Sequence, residues 1–204
     1  MNPDDLTDLS VINYGDHQWD QVELNIGAID SPSSAVLAVE FHGWLDPDDL
    51  DEHHPLRFDE TVRMGVTVIV ARRFDAAANQ WYQFPRCVLI GEMDPLRVWN
   101  YVVDDRGEPE VVSLEAGVMA VLAYEDAVRF EDLKEGPEFL AILDDLLRGS
   151  RPGGQQVAAR MVERIGVING QDNSCKVLVQ RNNNGEISAA FINLEPVEEW
   201  FHHQ

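Results

Sequence analysis

Leu114–Phe130 reads LEAGVMAVLAYEDAVRF, and two further stretches follow it, Pro137–Arg148 as PEFLAILDDLLR and Gln155–Ile165 as QQVAARMVERI. How these three stretches fold decides the class of the protein. In Pro137–Arg148 the residues Phe139, Leu140, Ile142, Leu143, Leu146 and Leu147 form one broad stripe at helical spacing, with Asp144 and Asp145 opposite. Pro137 suits a first helical position, Arg148 complements the dipole, and Gly149 with Pro152 closes the end. In Gln155–Ile165 the side chains of Val157, Met161, Val162 and Ile165 share one side of a helix. Leu114–Phe130 has Ser113 as an N-cap, while Gly117 and the valines count against a helix there. The region 114–165 is therefore expected to hold two or three helices.

Outward from this region the pattern turns to strands. Val66–Arg73 places Val66, Val68 and Val70 on one face and Thr67, Ile69 and Ala71 on the other, as suits a strand covered on both sides. Gln80–Ile90 is rich in aromatic and β-branched residues, and Pro85 within it predicts an edge or a bulge. Arg97–Val103 alternates and stops at Asp104-Asp105-Arg106-Gly107. Trp19–Ile26 and Ala35–Phe41 flank the turn Asp30-Ser31-Pro32-Ser33. At the C-terminal end, Asn184-Gly185 signals a two-residue type I′ loop. That loop pairs Val179 with Ala190, Val177 with Ile192 and Cys175 with Leu194 on one face, leaving Lys176, Gln180 and Asn193 on the other. Together these features predict an α+β fold: a mainly antiparallel sheet of about seven strands, the helices of 114–165, and a C-terminal β-hairpin. The whole chain, 1–204, reads as one domain with 1–18 as a partly ordered lead-in.

The sign of the charge narrows function. Thirty-seven acids against 15 bases give a net charge of −22 and a pI near 4.4. Residues 1–102 carry 18 acids and 6 bases, and residues 103–204 carry 19 and 9, so the acidity runs the length of the chain. Such a chain repels nucleic acid and anionic lipid, so neither is expected as a direct partner. The acidic stretch Met1–Asp8 does not resemble a secretory leader, and no apolar run has the length of a membrane helix, which predicts a cytoplasmic protein with Cys87 and Cys175 reduced. Scarce lysine, two against 13 arginines, also fits a GC-rich genome or a salt-adapted surface.

Candidate chemistry is sparse. No G-x-G-x-x-G or P-loop occurs, and Pro152-Gly153-Gly154 reads as a plain loop. The acidic run from Asp46 lacks the fifth-, sixth- and twelfth-position residues of a calcium loop, where Leu50, Asp51 and Arg57 stand. His53-His54 and His202-His203 point to opposite sides of an extended chain, so no metal and no cofactor are expected. His17 beside Asp16, three residues before Asp20, and Cys87 beside Arg86 are weak catalytic pairs. Trp44 differs from the other aromatics because it borders Asp46, Asp48, Asp49, Asp51 and Glu52, five carboxylates within seven residues, in a loop that Pro47 and Pro55 restrict. An aromatic beside clustered carboxylates suits a cationic ligand. The sequence therefore points to a non-catalytic accessory, inhibitor or immunity-type protein that binds a basic protein or peptide through Trp44, Asp46, Asp48, Asp49, Asp51 and Glu52. Two other readings are an enzyme with a cleft near Trp81, Cys87 and Trp99, and a structural homo-oligomer joined along the strand around Pro85.

Overall fold

The structure, a computed structural model, describes residues 11–14, 17–31, 36–40, 56–57, 62–77, 79–103, 106–109, 111–114, 118–126, 137, 141, 158–169 and 173–194. The strands are β1 (Ile12–Tyr14), β2 (His17–Ser31), β3 (Val36–Glu40), β4 (Leu56–Arg57), β5 (Val62–Asp75), β6 (Gln80–Gly91), β7 (Asn100–Tyr101), β8 (Val111–Leu114), β9 (Val118–Ala123), β10 (Ala159–Val162), β11 (Ile165–Asn169), β12 (Asn173–Arg181) and β13 (Ile187–Asn193). They form two antiparallel sheets. The first runs β1-β2-β5-β6-β13-β12-β7, with β8 also paired to β12, and the second runs β10-β11-β9-β3-β4.

The expected α+β class is wrong: the described part of the chain is nearly all β. Val118–Ala123, inside the first helix candidate, is the middle strand of the second sheet, and all six of its residues are buried. A short apolar run buried on both faces has no period that tells strand from helix, and Val118 and Val121 tip it to strand. The third candidate, Gln155–Ile165, contains β10 and enters β11 through the two-residue turn Glu163-Arg164, with Glu163 at φ 54°. Its apparent helical stripe, Met161, Val162 and Ile165, is divided between two strands. Of Pro137–Arg148, only Pro137 and Ala141 are among the described residues, and both are exposed.

One core lies between the sheets. Val66, Val68, Val88, Ile90, Val177 and Ile192 from the first sheet meet Met119, Val121 and Ile168 from the second. Bulges bend the long strands: Ile26 is the extra residue in β2 and Arg86 the extra residue in β6. Pro85 thus stands beside a bulge, as one of the two expectations had it. It is not on an edge, because β6 lies between β5 and β13. The strands before and after Asp30-Ser31-Pro32-Ser33 enter different sheets, β2 pairing with β5 and β3 with β9.

The C-terminal hairpin has the expected register, Val177 opposite Ile192 and Val179 opposite Ala190. Its turn is different. The Gly185 N–H donates to the Asn182 carbonyl, the Asn182 N–H donates to the Glu186 carbonyl, and only Gly185 in the turn has a positive φ, 86°. This is a three-residue loop of type I geometry closed by a left-handed glycine. A longer loop would shift the pairing by one residue, and Ser188, the extra residue of a bulge in β13, shifts it back. Two deviations cancel, so a two-residue loop and the observed turn arrive at the same register.

Candidate functional site

The six acidic-loop residues, Trp44, Asp46, Asp48, Asp49, Asp51 and Glu52, lie outside the described residues, as do Asp16, His53, His54, Pro152, Gly153, Gly154, His202 and His203. The residues of the alternative cleft are described, and they do not converge. Cys87 is buried with Ile69 and Phe191 beneath Trp99 on the outer face of the first sheet. Trp81 pairs with Phe74, which continues the face of Val68 and Val70, so it leaves the sheet from the opposite side. His17 and Asp20 are both in β2, where an odd spacing sends their side chains to opposite faces. Among the described residues no group of three or more His, Cys, Asp or Glu is arranged to hold a metal ion.

Several basic side chains make defined contacts with aromatic rings and carbonyl groups. Arg72 stacks on Trp81 at 5.2 Å, and Arg73 sits between Trp19 and Tyr82 at 5.1 and 5.5 Å. Arg86, in β6, donates to Gln21 in β2 across the intervening β5. Arg164 donates to the Asp30 carbonyl at 2.6 Å and pairs with buried Asp126 at 3.3 Å, tying β2 to the turn between β10 and β11. Arg181 donates to the Gly185 carbonyl, and Lys176 lies over Tyr101. Arg72, Arg73 and Arg86 make these contacts half-buried, whereas Arg164, Lys176 and Arg181 make them from exposed positions. Asp20, Glu23, Asp30, Glu92, Glu125 and Glu163 are exposed. Among the described residues both signs of charge therefore reach the surface, Arg160, Arg164, Lys176 and Arg181 as well as these carboxylates. No helix among the described residues is long and apolar enough to cross a membrane.

A second feature is the segment between β6 and β7. Asp94-Pro95-Leu96-Arg97 forms a turn: the Arg97 N–H donates to the Asp94 carbonyl at 3.0 Å, and the Leu96 N–H donates to Asp94 Oδ1 at 2.9 Å. That backbone bond, followed by the bond and charge of Arg97, holds the Asp94 carboxyl below the usual carboxylate range. A lowered folded-state pKa means the turn is supported at neutral pH and loses that support as pH falls through the acid range. Gln180 anchors the turn from beneath. Its side chain is fully buried; Oε1 accepts from the Asp94 N–H at 2.9 Å, and Nε2 donates to the Asp94 and Arg97 carbonyls at 2.9 and 3.0 Å. Arg97 adds bonds to Asp94, to the Arg181 carbonyl and to Asn183.

No family model, curated protein or solved structure matches this chain. The reading of the site therefore rests on its own geometry. The anchored segment covers the outer face of the sheet, where Trp99 meets Phe191 at 5.9 Å between ring centres. Val102, farther along, packs against the core between the sheets, while four apolar side chains are exposed. Leu96 is 92% exposed, Val98 76%, Val103 51% and Tyr101 48%. The hairpin pattern puts Gln180 with Lys176 and Asn193 on the face opposite Val177 and Ile192, and nothing in that pattern marks Leu96 or Val98. The local signal was there: Asp-Pro at the first two positions favours a type I turn, with Leu96 at its tip.

The two thiols occupy opposite faces of the first sheet, so no disulfide joins them. Cys175 belongs to the core between the sheets, and burial pushes its pKa up to about 12. Cys87 is shielded by the 94–99 segment. At pH 8, alkylation of the native protein followed by mass spectrometry is expected to modify neither rapidly. Cys87 should react first, through local opening of the turn, and Cys175 only on global unfolding. Equal rates for both would contradict this placement.

Proposed function

We propose that the chain is a non-catalytic accessory, inhibitor or immunity-type protein whose acidic surface recognises a basic protein or peptide. The observation that supports it is the charge of the chain, −22 and spread along its whole length, with Asp20, Glu23, Asp30 and Glu92 exposed. Such a field speeds encounter with a cationic partner and repels nucleic acid and anionic lipid. On this reading the protein acts in the cytoplasm without a cofactor, and Trp44 with Asp46, Asp48, Asp49, Asp51 and Glu52 forms the contact. Each exposed ion pair contributes only about 0–1 kcal/mol, so several must act together with the aromatic contact.

The test is capture of the partner from the native host, followed by binding kinetics. The partner should be basic, and its association rate should fall steeply as salt rises. Replacing Asp46, Asp48, Asp49 and Asp51 together with Asn should slow association by about tenfold or more at low salt with folding intact, while Trp44→Ala should mainly speed dissociation. A neutral or acidic partner, or an unchanged association rate in the four-Asn variant, sinks the assignment.

A further inference from the structure

Asn-Gly occurs twice in the chain, at Asn169-Gly170 and at Asn184-Gly185. The dipeptide carries a reaction of its own. Because glycine lacks a Cβ, its backbone nitrogen approaches the side-chain amide of the preceding asparagine with the least obstruction. Sequence does not rank the two sites, but the fold does. Asn169 ends β11, which lies between β10 and β9. It is half-buried, its N–H donates to the Ala158 carbonyl at 2.9 Å, and it pairs with Val118. Asn184 and Gly185 are both exposed in the loop between β12 and β13, with open space where a Gly185 Cβ would stand. We propose that Asn184 is a site of spontaneous deamidation, that the fold protects Asn169 from the same reaction, and that the isoaspartyl product opens the three-residue turn.

The reaction needs water and nothing else. The Gly185 backbone nitrogen loses its proton to solvent base and attacks Asn184 Cγ. A new C–N bond closes a cyclic imide, and Nδ2 takes a proton from solvent and leaves as ammonia. Water then adds to one of the imide carbonyls. Breaking the bond from nitrogen to Cγ gives aspartate. Breaking the bond from nitrogen to the α-carbonyl carbon gives isoaspartate, whose main chain runs through Cβ and Cγ. One water is consumed, one ammonia is released, and no atom is oxidised or reduced.

The loop both restrains this reaction and is exposed to it. The Gly185 N–H donates to the Asn182 carbonyl at 3.0 Å, and that bond must open before the nitrogen can lose its proton. Opening at an exposed loop tip is far easier than opening a strand paired on both sides, where Asn169 stands. Arg181 donates to the Gly185 carbonyl at 2.6 Å, and Arg97 donates to the Arg181 carbonyl and to Asn183. These guanidinium groups favour the anionic nitrogen. The Glu186 carboxylate acts against them; it accepts from Asn182 Nδ2 at 2.7 Å and from Asn184 Nδ2 at 3.5 Å. The consequence for the turn follows from its bonds. Asn182 Oδ1 accepts from the Asn184 and Glu186 N–H groups at 2.9 and 3.0 Å, and the Asn182 N–H donates to the Glu186 carbonyl at 2.8 Å. Isoaspartate adds a main-chain atom between those fixed ends, and the bonds cannot all survive it.

The test is peptide mapping by mass spectrometry of the full chain, aged at mildly alkaline pH in native buffer and, in parallel, in guanidinium chloride. In denaturant the two Asn-Gly pairs should convert at rates within about threefold of each other, whereas in the native protein Asn184 should convert at least about tenfold faster than Asn169. The native rate at Asn184 should rise with pH, because the attacking nitrogen must first lose its proton. Folding that slows the two sites alike overturns the assignment, and so does a native protein in which Asn169 converts first. The effect on the turn is read separately. The isoaspartyl form, isolated from the aged protein, should unfold at a lower urea concentration than Asn184→Asp, which carries the same added charge on an unaltered backbone. Should that variant misfold, the aspartyl product of the same ageing serves as the comparison. Equal urea midpoints for the isoaspartyl and aspartyl forms would show that the turn tolerates the longer main chain, and would overturn that part of the proposal.

Discussion

Replacing Gly91 with alanine is expected to cost about 3 kcal/mol or more of folding stability, and to do so through the register of the C-terminal hairpin. Gly91 ends β6 opposite Ala189, with φ at 88°. A Cβ there would collide with the Ser188 carbonyl oxygen and stand 3.0 Å from Met64 Sδ and 3.2 Å from Ala189 Cα. Ser188 is the bulge residue that returns β13 to register after the three-residue turn, so its backbone cannot retreat without disturbing the pairing on both sides. Two costs combine: a left-handed backbone in a non-glycine residue and a clash with main-chain atoms. Gly185 separates them. It has φ 86° and open space where a Cβ would go, so Gly185→Ala should cost only about 1 kcal/mol from the backbone alone. Urea unfolding of the two variants measures the difference. Equal losses would show that the close approach of β6 to Ser188 adds nothing.

Gln180 carries the second large effect. Gln180→Ala removes the acceptor of the Asp94 N–H, one of the two donors to the Asp94 carbonyl and the side-chain donor to the Arg97 carbonyl, and is expected to destabilise the protein by about 2–4 kcal/mol. The loss should also be local. With the turn released, Trp99 no longer shields Phe191 and Cys87, so Cys87 should alkylate faster at denaturant concentrations that leave Cys175 protected. A rise in both rates together would mean global unfolding instead. Gln180→Glu is the sharper variant. One carboxyl oxygen can still accept from the Asp94 N–H, but the other faces two carbonyl oxygens and fits only when it carries a proton. The folded state therefore raises the pKa of the new carboxyl above its unfolded value of about 4.3. By linkage the variant should come nearest to wild-type stability below that value and lose ground as pH rises through the folded pKa. Stability of Gln180→Glu that tracks wild type from acid to neutral pH would refute the hydrogen-bond assignment.

The sequence alone determined those features in which period and composition act locally. Val66–Ala71 declares a strand buried on both faces because no alternation with polar residues interrupts it. The pairing of Val177 with Ile192 follows from apolar residues two apart on either side of an Asn-Gly turn, since a slip of one residue would turn them all outward. Net charge and its even spread are properties of the chain before it folds. Tertiary structure decided the rest. Val118–Ala123 and Ala159–Val162 are strands because neighbouring strands supply their hydrogen bonds and a second sheet covers them, and an apolar run of such length does not announce this by itself. The three-residue turn at Asn183-Asn184-Gly185 and the bulge at Ser188 are coupled through Gly91, nearly a hundred residues away in sequence. Gln180 reads from its own strand only as a polar residue on the face opposite Val177 and Val179. It is buried because Asp94 and Arg97 bring their backbone groups to it, which the pairing of β12 with β7 makes possible. Strand pairing likewise assigns Trp81 and Cys87 to opposite faces, which no local pattern contains.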